Sequence, residues 1–358
     1  MKDGFVPSVS RFAGRPLAAA VAAALLFTVA ACDARDRAES VVAKEDLKPG
    51  LDPNPLAERV TLKAATAGNG EGYAVLTLAE AMGEFEKENI DVQIEVVSPA
   101  STIFALMAQN RLDLAVTAPF AGMFNQAADG SNIRFVTGGG EVAKAADAGW
   151  WQRPGGDGTT SACDLKGKSV AIQTGGEGNP LAVSLDTYLN SCELSIKDVT
   201  LVELTPPETV QALQNGAVEL GSVALPFAKA LKESGDAVLV APWNKGIIGT
   251  IMGNLIEDRP EVAQAVVRAM LRTARTHLQG NYYSDPDVLT ALSKIIGVEE
   301  SVLKAGVPRN FDPNLAPPLD SVVPLEEFWI RVGGLLNYDK PLGVDKITDS
   351  KVLESVLR

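Results

Sequence analysis

Two glycine-rich turns hold the side chains best placed for chemistry in this 358-residue chain. One is Thr66-Ala67-Gly68-Asn69-Gly70-Glu71-Gly72 with Tyr73 after it; the other is Thr174-Gly175-Gly176-Glu177-Gly178-Asn179 with Pro180 after it. Each follows a run that reads as a strand and opens one that reads as a helix. Glycine lets a bound group approach the backbone closely, and a helix N-terminus aims N–H groups at it. The chemistry on offer is capture of a small polar group. Asn69, Tyr73, Thr174, Gly175, Gly176, Glu177 and Asn179 are the candidate contacts. A plain strand-to-helix turn is the competing account, with Asn179 as N-cap and Pro180 at N1. The Lys-Ser/Thr ending of a phosphate-cradling loop is absent.

Ser101, Thr102, Thr117 and Phe120 fall on the same expected edge as the first turn. Ser101 also fits an N-cap, and Phe120 a core position. Trp150, Trp151 and Trp243 flank two expected crossings. Trp151 and Trp243 are candidates to stack on a flat or apolar solute, with hinge packing as the alternative. Glu141, Glu177 and Glu208 oppose Lys144, Arg153 and Lys245 near the same places, so the sequence leaves the ligand's charge open. The lone histidine, His277, sits in an apparent helix and reads as structural. No metal-ligand cluster stands out; no metal, cofactor or catalytic set is expected.

The elements that must position these residues alternate. In the first series, strands are expected at Val60–Thr66, Asp91–Val97, Leu112–Thr117 and Ile133–Thr137. Helices are expected at Tyr73–Asn89, Thr102–Asn110 and Ala118–Ala128. Gly138–Ala162 reads as a crossing plus a surface loop. A second series runs from Ser169 to Ala241, and a strand at Ile247–Met252 precedes a mostly helical remainder. Such alternation implies α/β units with mostly parallel sheets. Expected domains are a first lobe from 60–142 and 243–358 and a second lobe from 143–242.

The beginning of the chain carries an address. Lys2, Arg11 and Arg15 precede an apolar run from Leu17 to Ala31, closed by Val29-Ala30-Ala31-Cys32. Residues 1–31 read as a secretory signal peptide, too short in its apolar part for a spanning helix of about 20 residues. Residues 32–59 are polar and proline-punctuated and read as a flexible tether. Cys163 and Cys192 then form an even pair in an oxidising compartment. A disulfide between them is expected, with two separate buried thiols as the alternative. A net charge of −13 makes nucleic acid an unsuitable partner.

Several stretches together resemble a known family: Leu78 to Val92, Ala105 to Ala115, Asp164 to Ala171, Gln211 to Glu219, Leu225-Pro226-Phe227, and Tyr338-Asp339-Lys340-Pro341 followed by Asp349. From Val60 to Arg358 the chain resembles the periplasmic substrate-binding proteins of ABC importers, in the taurine-binding-like branch for sulfonates, nitrate and thiamine precursors. The resemblance implies a two-lobed clamshell of type II, each lobe a mixed, mostly parallel sheet flanked by helices. It implies a monomeric solute receptor serving a permease and its ATPase, and adds Pro226 to the candidate contacts. The Val29-to-Cys32 segment resembles a lipobox, which makes Cys32 the lipidated residue and the membrane a partner through that lipid. In sulfonate binders the second turn is rich in Ser/Thr; Gly175 and Gly176 depart from that pattern. The remaining alternatives are an enzyme on the same fold, of pyrimidine-synthesis or menaquinone-pathway type, and a sensor or scavenging lipoprotein without its own permease.

Overall fold

The structure is a computed structural model that describes residues 51–143, 147–155, 158, 160–224, 227–243 and 247–358. Cys32, the signal segment, most of the tether, Lys144, Pro226 and Lys245 lie outside the described residues. The first passage of the chain runs β1 (Val60–Thr66), α1 (Ala74–Ala81), β2 (Ile90–Val96), α2 (Thr102–Ala108), β3 (Leu114–Thr117), α3 (Ala121–Ala128), β4 (Arg134–Gly138) and β5 (Gly140–Glu141). The second comprises β6 (Gly149–Gln152), β7 (Ser169–Ile172), α4 (Leu181–Asn190), β8 (Thr200–Glu203), α5 (Pro206–Asn215), β9 (Leu220–Val223), α6 (Ala228–Ser234) and β10 (Val238–Pro242). The last holds β11 (Gly249–Met252), α7 (Leu255–Asp258), α8 (Pro260–His277), α9 (Pro286–Ile296) and α10 (Glu300–Lys304), then β12 (Asn310–Phe311), α11 (Leu319–Val332), α12 (Val344–Ile347) and α13 (Lys351–Leu357).

Two five-stranded sheets result, in the orders β2-β1-β3-β11-β4 and β10-β6-β9-β7-β8. In each, one strand runs against its neighbours: β11 pairs antiparallel with β3 and β4, and β6 with β9 and β10. The first sheet therefore contains strands from both ends of the described chain. A separate two-stranded ladder pairs β5 with β12 and so brings Asn310–Phe311, from within the helical remainder, to Gly140–Glu141.

Local chemistry sets the helix ends. Asp285 caps α9 by accepting from the backbone N–H of Asp287 and Val288, and Gly297 closes it in the left-handed region. Thr205 and Glu208 bracket the start of α5 beside Pro206, and Gly216 ends it. The single helix expected over Tyr73–Asn89 is corrected: α1 stops at Ala81, and a short 3-10 turn follows at Glu86–Glu88. The expected loop over Gly138–Ala162 is corrected too, since it contains β5 and β6. Cys163 and Cys192 are bonded, with Cα atoms 5.1 Å apart.

Three apolar clusters fill the fold. One packs α1, α8, α9 and α13 on one face of the first sheet. Another, around Trp151, Leu213 and Leu231, lies under α5 and α6. A third joins the two halves of the fold: it contains Phe104 of α2, Phe124 of α3 and Phe135 of β4, Trp150 of β6, Val170 of β7 and Leu185 of α4, and Val322, Leu325, Phe328 and Trp329 of α11. Helix α11, assigned by sequence to the first lobe alone, packs on both. Trp329 meets Phe124 edge-on with ring centroids 5.2 Å apart, and its indole N–H donates to the Glu177 carbonyl at 2.8 Å. Arg331 pairs with the buried Asp186 of α4 at 2.7 Å.

The tether also ends earlier than expected. Leu51 is buried. Its carbonyl accepts from Arg272 at 3.3 Å, and the Asn54 and Leu56 amides donate to Glu88 at 3.3 and 3.1 Å. Glu88 is fully buried and receives Arg268 and Arg272, while Arg272 also meets Glu84 at 2.8 Å. Burial alone would raise the Glu84 carboxyl; hydrogen bonds from His277, Arg272 and Lys87 outweigh it and bring the pKa from 4.5 down to about 2. A carboxyl depressed by folding adds stability that is present above its unfolded value and is lost as pH falls through its folded one. Here that contribution is about 3 kcal/mol. Glu84→Gln should lose about that much at pH 7. The gap from the parent should close as the pH drops from about 4.5 to about 2. Urea titrations across this range test it, and a gap that stays constant with pH would refute the assignment.

Candidate functional site

A cavity of about 520 Å³ lies between the two sheets. Its walls begin where strands end: Ala67 follows β1, Thr117 closes β3, and Gln173, Leu204 and Ala224 follow β7, β8 and β9. This is the edge where α/β sheets collect ligands, because the chain turns there from strand to helix. Helix starts supply further lining through Tyr73, Phe120, Pro180, Pro206 and Phe227. Trp243, Ile247 and Ile248 come from the return crossing, and Ser321 and Leu325 of α11 close the remaining side.

Of the residues expected from sequence, Asn69, Tyr73, Thr117, Phe120, Thr174, Asn179 and Trp243 line the cavity. Two of these carry buried polar atoms with no protein partner among the described residues, Thr117 Oγ1 and Trp243 Nε1. Buried donors of this kind call for a partner. Asn179 is occupied: its side chain accepts from the Leu181 amide at 2.9 Å and donates to the Thr174 carbonyl at 2.8 Å, so it caps α4.

Several expected contacts are corrected. Trp151 is 3% exposed and packs under α5 and α6. Adjacent residues of a strand face opposite sides; Trp150 points into the shared core, where its indole N–H donates to Ser184 at 2.8 Å. Glu177 pairs with Lys197 at 2.6 Å, away from the cavity wall. Glu208 is consumed by capping, accepting from the Thr205 amide and hydroxyl, and Arg153 pairs with Glu219. Ser101 and Thr102 are exposed, and the Thr102 hydroxyl donates to the Pro99 carbonyl at 2.7 Å. Gly175 and Gly176 do not line the cavity; Gly175 lies under the Phe120 ring of the opposite sheet.

The residue that sequence reasoning missed is Arg309. It precedes the β5–β12 ladder, which brings it to the first turn. Its guanidinium donates to the Gly140 carbonyl at 3.0 Å. Behind it, the Glu71 carboxylate accepts from Tyr283 at 2.7 Å and from Tyr282, whose hydroxyl also lies 3.2 Å from the Arg309 carbonyl. Burial, then the Glu71 charge, raises both tyrosines, so they stay protonated donors. Burial also raises Tyr73, against the opposing pull of Arg309. No carboxylate lies within ion-pair distance of Arg309 among the described residues, and it is the one charged residue among those lining the cavity.

Gly175 is a tight junction between the two halves of the fold, beside the cavity. Its φ is +106°, and a Cβ there would sit 2.8 Å from the Phe120 ring. Gly175→Ala should therefore cost about 1–3 kcal/mol, from the left-handed backbone and the ring contact together. In a Phe120→Ala background the ring part disappears and the backbone part stays, so the two substitutions should be non-additive by about 1 kcal/mol. A denaturant double-mutant cycle measures this; strict additivity would show that the two residues do not touch.

The same arrangement of sheets occurs in solved structures. The chain aligns with the periplasmic aliphatic sulphonate binding protein SsuA of Escherichia coli at 18% identity and a TM-score of 0.57, covering 78% of this chain and 94% of that one. With the periplasmic nitrate-binding protein NrtA of Synechocystis PCC 6803 the values are 14% and 0.62, covering 85% and 89%. A DszB variant in complex with biphenyl-2-sulfinic acid aligns at 16% and 0.55, covering 84% and 99%. No curated protein sequence matches the chain. The family model described as NMT1/THI5 like matches residues 72–279, more than half of the chain. On that match the chain belongs to the NMT1/THI5-like family, built on the two-sheet fold of periplasmic binding proteins.

Proposed function

We propose that this protein is an extracytoplasmic solute receptor that captures a small organic molecule between its two lobes and delivers it to an ABC importer. The observation that carries the reading is the cavity itself. At about 520 Å³ it falls within the roughly 300–1,000 Å³ typical of small-ligand sites. It is walled by both sheets, and the buried Thr117 hydroxyl and Trp243 N–H have no protein partner among the described residues. Tyr73, Phe120, Phe227 and Trp243 give it an aromatic lining suited to a solute with a flat or apolar part. The names of the sulphonate- and nitrate-binding structures support the same role. Cys32 serves as the lipid anchor in this proposal, holding the receptor near its permease.

An enzyme on this fold is the competing reading, and the DszB structure with its bound sulfinic acid keeps it in view. The lining favours the receptor: Asp, Glu, His, Cys and Lys are all missing from the described residues around the cavity. The Ser, Thr and Tyr hydroxyls of the lining have no carboxylate, imidazole, thiol or amine beside them among the described lining residues to activate them for acid–base or nucleophilic chemistry.

A thermal-shift screen of small organic solutes tests the reading, because a ligand at 100 times its Kd adds about 2.7 kcal/mol of stability. At least one solute should raise the melting temperature without being converted. Trp243→Ala should weaken that binding by about tenfold. Cys32→Ser should shift the protein from the membrane fraction to the soluble one. Conversion of the bound compound would favour the enzyme instead.

A further inference from the structure

The two walls of the cavity differ in what they offer a charged group. On the second-lobe wall the starts of α4 and α5 have already used their donors. In α4, Pro180 has no N–H, the Leu181 amide donates to Asn179 Oδ1, and those of Ala182 and Val183 donate to carbonyls of Asn179 and Pro180. In α5, Pro206 and Pro207 lack N–H groups, and both donors of Thr205 go to Glu208. The Ser184 hydroxyl donates to the Leu181 carbonyl. What remains there is mostly apolar surface from Leu181, Leu204, Pro206 and Phe227, with Phe227 42% exposed at the rim. Gln173 and Thr174 are its neutral polar groups.

On the first-lobe wall stands Arg309, half-buried and without a carboxylate partner among the described residues. Its guanidinium carbon is 3.4 Å from the position a Gly72 side chain would take, so the first turn passes directly over it. The Glu71 charge beside that turn is taken by two tyrosine hydroxyls. A cation drawn from water in this way is stabilised by an anion that completes its hydrogen bonds. Asn69, Tyr73 and the unpartnered Thr117 hydroxyl add neutral polar groups on the same wall.

Resting on the receptor reading, we infer that the solute is an organic carboxylate held in one orientation, its carboxylate on Arg309 and its apolar body against Leu181, Leu204 and Phe227. The guanidinium fork is planar and matches the two oxygens of a carboxylate. A sulfonate directs a third oxygen out of that plane, toward a wall whose helix N–H groups are already committed. Recognition is one-sided: charge is read by the first lobe and shape by the second.

The test uses matched probes on several aryl and alkyl skeletons, each as the carboxylate, the primary amide and the sulfonate, measured by thermal shift and calorimetry. The carboxylate of at least one skeleton should bind about tenfold or more tighter than its amide. Arg309→Gln should weaken carboxylate binding by about 10- to 100-fold and change amide binding by less than about threefold. Phe227→Ala should weaken both by the same factor. Equal binding of carboxylate and amide, or an unaffected Arg309→Gln, overturns the assigned charge and leaves the receptor standing. Tighter sulfonate binding overturns the choice of carboxylate. Failure of every skeleton in all three forms overturns the receptor reading itself.

Discussion

The shared apolar core constrains everything else in this molecule. It runs without a break from Phe104 and Phe124, on the helices beside one sheet, through Trp329 to Leu185 of α4 and Val170 of the other sheet. Burying a large apolar side chain contributes about 1.5–3 kcal/mol, whereas a whole domain is stable by only about 5–15 kcal/mol. Parting the sheets along this seam would expose several such side chains at once and would consume the stability of the fold. Any opening of the cleft must therefore pivot on the seam. Helix α11 forms that back wall: Trp329 and Arg331 tie it to the second lobe, while its Ser321 and Leu325 line the cavity.

That constraint explains the glycine at 175. With the seam closed, Phe120 of the first lobe lies directly on the second-lobe turn, and the turn needs a residue without a Cβ at φ +106°. Gly175 thus has a packing role in this turn. A turn specialised for close interlobe packing has little room left to present hydroxyls. In the proposed reading, polar recognition falls instead to Arg309 on the opposite wall.

Much of this was legible in the chain because it rests on local period and punctuation. β1, β2, α2 and α3 follow from alternation and periodicity near the positions the sequence indicates. The edge rule for strand ends found Asn69, Tyr73, Thr117, Phe120 and Thr174. It failed where chemistry depends on long-range placement. β6 reads as loop because its strand is four residues long and sits between glycine- and proline-rich stretches, yet pairing on both sides makes it central to its sheet. Trp151 reads as a cleft residue in sequence because a tryptophan pair does not reveal which member faces which side. Arg309 carries no periodic signal at all: a two-residue ladder to Gly140 and Glu141 places it. Glu177 and Glu208 looked like cleft charge only because their partners, Lys197 and Thr205, are chosen by the fold.

The distribution of charge gives Arg309 its weight. The chain carries −13 overall, so an approaching anion meets a repulsive surface. That field is screened over about 8 Å at physiological ionic strength. Inside the cleft the screening falls away, and a guanidinium at the wall acts in a medium of lower dielectric, where one charge counts for more than many on the surface. The acidic exterior then slows arrival of an anion without opposing its retention, and in the proposed reading retention falls to Arg309, the charged residue among the described residues of the lining. In that reading an anion is held by a single lobe, so the arginine holds the solute and the opposite wall encloses it.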